Sequence, residues 1–122
     1  MKILVVDDSK TMRNLQKGVL TQLGYTQIEE ACDGLDALTK ATASQPDLIL
    51  LDWNMPNMDG LQFVEKYRGQ SGKAPIMMVT TEAEKTRVIT AIKAGVNNYV
   101  IKPFTPEVLA ERIRETLEKA AA

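Results

Sequence analysis

Five side chains dominate the chemical potential of this 122-residue sequence, and each stands at or just after the end of a short apolar run. Asp7-Asp8 follows Ile3-Leu4-Val5-Val6, and Asp52 follows Leu48-Ile49-Leu50-Leu51. Thr80-Thr81 follows Ile76-Met77-Met78-Val79, and Lys102-Pro103 follows Tyr99-Val100-Ile101. Singly each has an ordinary use: an acid pair caps a turn, a threonine ends a strand, a lysine sits in water. Together they make a set of carboxylates with one hydroxyl and one ammonium group. Clustered carboxylates resist full ionisation unless cations stand beside them. A divalent cation and Lys102 would supply the balancing charge. The sequence contains no histidine, and an all-oxygen donor set suits Mg²⁺ or Mn²⁺ better than zinc. A carboxylate beside such a cation can accept a phosphoryl group as an aspartyl phosphate. That transfer asks mainly for positioning and charge stabilisation, and Thr80 offers a hydroxyl to the new phosphoryl oxygens.

The elements that must position these groups are legible as alternating periods. Apolar runs at 3–6, 48–51, 76–79 and 99–101 predict four strands, and 27–31 reads as a further one, second in chain order. Between them, helix-period segments run over 10–23, 35–43, 60–67 and 84–94, and a last one opens at Thr105-Pro106-Glu107. In the first helix Met12, Leu15, Val19, Leu20 and Leu23 recur at helical spacing, with Ser9 as N-cap and Gly24 as stop. Gly95 stops the fourth. The last helix has Thr105 as N-cap, Pro106 at the first position, Glu107 in the first turn, and Val108, Leu109, Ile113 and Leu117 as its apolar face. Strands 1, 3 and 4 are continuous apolar runs, which fits strands covered on both faces in a parallel sheet. Five βα units in succession predict one α/β domain over residues 1–122. Ligands of such sheets bind beyond the carboxyl ends of the strands, where strand order reverses. If the order is 2-1-3-4-5, one of the two common doubly wound arrangements, strands 1 and 3 flank that crevice.

Composition narrows the classes of function. Net charge is −1 with scattered basic residues, so nothing drives the chain to nucleic acid or an anionic membrane. A lone cysteine, Cys32, excludes an intrachain disulfide and reads as a structural residue at a buried strand end. No segment reaches the length of a membrane span, and the opening apolar run is too short for a signal peptide. A cytoplasmic location is expected.

The motifs also resemble a known family over essentially the whole length: bacterial two-component response-regulator receiver domains. The matching stretches are Val5-Val6-Asp7-Asp8, Thr11-Met12-Arg13, Asp52 through Gly60, Met78-Val79-Thr80, and Tyr99-Val100-Ile101-Lys102-Pro103-Phe104-Thr105. The resemblance implies a flavodoxin-like (βα)5 fold and a signalling switch that catalyses only transfer to, and hydrolysis from, its own aspartate. It implies that Asp52 is phosphorylated by the phosphohistidine of a partner histidine kinase. Asp8 and Asp52 would hold Mg²⁺ through side chains, the Asn54 backbone carbonyl would be a third ligand, and Asp7 would act through water. Lys102 and Thr80 would contact the phosphoryl group, Tyr99 would turn inward after Thr80, and Lys102-Pro103 would be cis. Asn54 and Glu82 would tune hydrolysis. Ala83, Lys85, Val88, Ile89, Tyr99, Ile101 and Arg112 would form an output face over helix 4, strand 5 and helix 5. The run Asp52-Trp53-Asn54-Met55-Pro56-Asn57-Met58-Asp59-Gly60 is similar to chemotaxis members, which implies a monomer acting on a flagellar motor switch protein, with a phosphatase as a possible further partner.

Other outputs remain open on the sequence: a non-motor effector, a phosphate sink or a relay. A haloacid-dehalogenase-type phosphatase also uses a strand-end aspartate, a metal, a hydroxyl and a lysine. It needs a second aspartate two residues on, where this chain has Asn54. A flavodoxin-like cofactor binder needs a hydroxyl- and glycine-rich loop after strand 1, where Asp7-Asp8 would repel phosphate.

Overall fold

A computed structural model describes residues 1–81 and 87–121. Its elements run β1 (Lys2–Val6), α1 (Lys10–Gln22), β2 (Gln27–Ala31), α2 (Gly34–Ser44), β3 (Leu48–Asp52), α3 (Gly60–Gly69), β4 (Ile76–Thr81), α4 (Val88–Ala94), β5 (Asn98–Lys102) and α5 (Pro106–Ala121). The five strands form one parallel sheet in the order β2-β1-β3-β4-β5. β3 is buried along its whole length and β1 and β4 nearly so, whereas edge strand β2 alternates. Continuous apolar runs thus mark the interior strands. Asp52, Thr80, Thr81 and Lys102 belong to the last residues of their strands rather than to the loops beyond. Ladder hydrogen bonding fixes their backbones at the sheet edge.

Two apolar cores lie on opposite faces of the sheet. One includes Leu4, Ile49, Leu51, Phe63, Val64 and Ala91, packed beneath α2, α3 and α4. The other includes Ile3, Val5, Val19, Leu20, Leu109 and Ile113, beneath α1 and α5. Burying one such Leu, Ile or Phe side chain contributes roughly 1.5–3 kcal/mol.

The local signals behave as their chemistry requires. Ser9 Oγ accepts the Met12 N–H at 3.2 Å. α1 ends in a Schellman motif: Gly24 at φ 96° donates to the Thr21 carbonyl, and Tyr25 donates to that of Leu20. α3 opens with a capping box between Asp59 and Gln62. Thr105 Oγ1 caps α5 by accepting the Val108 N–H at 3.1 Å.

Three sequence expectations are corrected. Leu15 is 42% exposed and Gln16 is buried in its place. A stripe of 16, 19, 20 and 23 is as periodic as 12, 15, 19 and 23, and packing on β1 and α5 selects the first. Val108 is 40% exposed because the buried stripe of α5 runs through Leu109, Ile113 and Thr116. Cys32 is exposed, since β2 ends at Ala31 and the thiol lies in the turn into α2.

Candidate functional site

The strand order brings the expected residues to one sheet edge. β1 ends beside β3, and Val6 pairs with Leu51. β3 ends beside β4, where Asp52 pairs with Val79, and β4 beside β5, where Thr81 pairs with Lys102. Carboxylate oxygens of Asp7, Asp8 and Asp52 lie within 4.8 Å of one another. Asp7 is 1% exposed and Asp52 5%, while Asp8 faces solvent. Lys102 Nζ reaches across from β5 and donates to Asp52 Oδ1 at 3.0 Å. It lies 3.5 Å from Asp7 Oδ2, an ion-pair contact that leaves this buried oxygen without a well-formed hydrogen bond. Asp7 Oδ1 accepts the Ser9 N–H at 2.9 Å, and Asp52 Oδ1 also accepts the Trp53 N–H at 3.0 Å. Thr80 is fully buried, and its hydroxyl donates to the Thr81 carbonyl over a long 3.4 Å.

Electrostatics follow from that burial. Loss of water is the largest influence on Asp52, and with the Asp7 charge it pushes the carboxyl up to about 6 against the pull of Lys102. Burial likewise raises Asp7. Burial would lower Lys102, but its hydrogen bond to Asp52 and the charges of Asp52 and Asp7 outweigh that, so the ammonium is held more firmly charged. Among the described residues, Lys102 alone therefore faces three carboxylates. An underbonded buried oxygen and convergent oxygen donors fit a hard divalent cation, and such an acidic triad is typical of receiver domains.

Around this centre the Lys102-Pro103 peptide is cis. Asn54 is exposed just past β3. Tyr99 is half-buried against the core beneath α3 and α4. Of the expected output face, Ile89 is 67% exposed, Ile101 and Arg112 are partly exposed, and Val88 is buried with Ala91, supporting the face from below. Ala83 and Lys85, expected on that face, and Glu82, expected to tune hydrolysis, lie outside the described residues. Sequence reasoning assigned no role to two residues. Arg13 Nη1 donates to the Asp7 carbonyl at 2.6 Å while its Nε holds Glu30 at 3.0 Å, bracing the end of β1. Arg87 lies over the Trp53 ring. A basic residue one turn into α1 was a faint signal for the first; nothing in the sequence pointed to the second.

A cavity of about 370 Å³ lies elsewhere. Ala41, Gln45, Tyr67, Gln70 and Lys73 line it near the C-terminal ends of α2 and α3, at the opposite edge of the sheet. The chemistry sits on a shallow charged edge instead.

A parallel five-stranded sheet of this order with an acidic triad at its carboxyl edge is the architecture of a signalling receiver, a switch rather than a true enzyme. The response regulator receiver domain family matches residues 3–114, and the chain belongs to that family. It is 52% identical to chemotaxis protein CheY1 of Helicobacter pylori, over 96% of this chain and 97% of that protein. Among solved structures, chemotaxis protein CheY4 of Vibrio cholerae superposes with a TM-score of 0.87 at 38% identity, over 95% of this chain and 98% of that one. NtrX of Brucella abortus superposes at 0.91 with 28% identity; there this chain is matched over 98% of its length but spans only 27% of the longer protein. No described helix is long and apolar enough to cross a membrane.

Proposed function

We propose that residues 1–122 form one receiver domain that accepts a phosphoryl group on Asp52 and acts as a chemotaxis response regulator. The observation that carries this reading is Lys102 at 3.0 Å from Asp52 within a triad of carboxylates converging to 4.8 Å. Asp8 and Asp52 would hold Mg²⁺, or Mn²⁺ in its place, with the Asn54 carbonyl as a further ligand and Asp7 through water. Bound there, the ion supplies positive charge against the carboxylates and the incoming phosphoryl oxygens. Asp52 Oδ1 is engaged by Trp53 and Lys102, which leaves Oδ2 as the nucleophile. It attacks the phosphorus of a histidine kinase's phosphoimidazole; the O–P bond forms, the P–N bond breaks and the imidazole leaves. Lys102 stabilises the transferred charge, and Thr80, committed only through a long hydrogen bond, turns its hydroxyl to a phosphoryl oxygen. Tyr99 then moves into the vacated space. The face carrying Ile89, Tyr99, Ile101 and Arg112 changes shape for a partner such as a flagellar motor switch protein. Hydrolysis of the aspartyl phosphate, alone or through a dedicated phosphatase, resets it.

Incubation with acetyl phosphate and Mg²⁺ tests this by intact mass. Wild type should gain one phosphoryl group and Asp52→Asn none; equal labelling of both would refute the assignment. Titrating the beryllofluoride-activated protein with a flagellar switch-protein peptide tests the output. Binding only after activation supports the motor, and activation without binding points to another effector.

A further inference from the structure

Arg87 stands at the entrance to α4 as its N-cap residue, and its guanidinium carbon lies 4.8 Å from the centre of the Trp53 ring. That distance is within cation–π range. Trp53 directly follows Asp52 and is pinned in place. Its N–H donates to Asp52 Oδ1 at 3.0 Å, its carbonyl accepts the Gly60 N–H at 2.8 Å, and it is only 1% exposed. The residue after Arg87, Val88, is buried, so the start of α4 is seated on the core. The ring contact thus joins the entrance of α4 to the end of β3, on a path separate from Thr80 and Lys102. It coexists with Lys102 paired to the Asp52 carboxylate and with Thr80 turned to the Thr81 carbonyl. That is the arrangement of a free carboxylate. Moving the start of α4 away from β3 would separate guanidinium from ring and open the indole to water.

We propose that Arg87 is a positioning residue of the switch: stacked on Trp53, it holds the start of α4 against the end of β3 and opposes the rearrangement that follows charging of Asp52. The inference rests on the phospho-acceptor reading above. It has a sign that separates it from simple electrostatics. Removing a cation near the site would weaken binding of an anion, whereas releasing a brake strengthens it.

The test titrates the full chain with beryllofluoride in saturating Mg²⁺, following bound fluoride by ¹⁹F NMR in wild type, Arg87→Ala and Arg87→Lys. Without ligand, Arg87→Ala should shift the emission of Trp53, the sole tryptophan, to the red. Its half-saturation should fall by about three- to fivefold, the factor that an exposed cation–π contact represents. Arg87→Lys, which keeps a cation, should lie between. Unchanged emission would mean that the stack does not form. Shifted emission with unchanged or weaker beryllofluoride binding would reduce Arg87 to a cover for the ring. Either result overturns the proposal while leaving the phospho-acceptor reading intact, and failure of wild type to bind would remove both.

Discussion

Asp52 and Lys102 illustrate how one site sets its own charge. The Asp52 carboxyl, ordinarily near 3.8, is pushed to about 6 chiefly by burial and then by the Asp7 charge. A carboxyl raised in the folded state keeps its proton where the unfolded chain has lost it. Folding is therefore undiminished below the ordinary value, and stability falls as pH climbs from about 3.8 to about 6. Shifts of this size correspond to roughly 2–3 kcal/mol, trimmed in practice because removing the charge also strips Lys102 of its partner. In metal-free buffer Asp52→Asn should raise the melting temperature at pH 7.5, by about 1–2 kcal/mol of stability, and make little difference at pH 4. Equal gains at both pH values would contradict this origin. Mg²⁺ should narrow the gap by stabilising wild type more. Lys102→Met removes the cation that bridges Asp52 and Asp7 among the described residues. The Asp52 midpoint, followed through Trp53 emission because the Trp53 N–H sits on Asp52 Oδ1, should then move upward. A downward move would show that Lys102 does not hold the carboxylate ionised.

At the scale of elements, the join between β3 and α3 is tightly constrained. Gly60 sits where an added Cβ would stand 2.4 Å from the Asp52 carbonyl oxygen, and its N–H donates to the Trp53 carbonyl. Asp59 alongside it caps the helix through its capping box. Asp59→Ala should cost about 0.5–2 kcal/mol and leave phosphorylation by acetyl phosphate unchanged. Gly60→Ala should lower both stability and phosphorylation rate, because α3 must back away from the strand that holds Asp52. If the two variants behaved alike, the close approach would not be positioning the site. Arg68 ties the far ends of these elements, donating to the carbonyls of Gly72 and Gly95 and to Asn97 Oδ1. Asn97 Oδ1 in turn accepts the Ile76 N–H. The C-terminal end of α4 is thereby anchored to α3 and the start of β4.

For the whole molecule, one sheet separates two cores, so damage to each should be largely independent. Phe63→Ala opens the core beneath α2, α3 and α4, and Leu109→Ala the one beneath α1 and α5. Each should cost about 3–5 and 2–5 kcal/mol respectively, and the sum should hold within roughly 0.5 kcal/mol in the double variant. Denaturant unfolding checks this, with milder Phe63→Leu and Leu109→Val as the pair to use if the alanine variants are too unstable to compare. A large non-additive term would mean that the sheet transmits packing strain between its faces.

Periodicity and capping chemistry are local, so the amino-acid sequence alone determined the type and approximate bounds of the described elements. The exception is the fourth helix, whose expected start at Glu84 lies outside the described residues, so that α4 is described from Val88. The sequence also placed Asp7, Asp8, Asp52, Thr80 and Lys102 at strand ends, because an apolar run stops where a parallel strand leaves the core. Relations through space were not local. No pattern within a single element specifies which strands are neighbours, and only the folded sheet put Lys102 on Asp52 across fifty positions of chain. Which of two periodic stripes on α1 faces inward depended on α5 and β1, so Gln16 is buried and Leu15 is not. The raised Asp52 carboxyl and the stack of Arg87 on Trp53 depend on burial and on approach between distant segments. Both are properties of packing, and tertiary structure alone decided them.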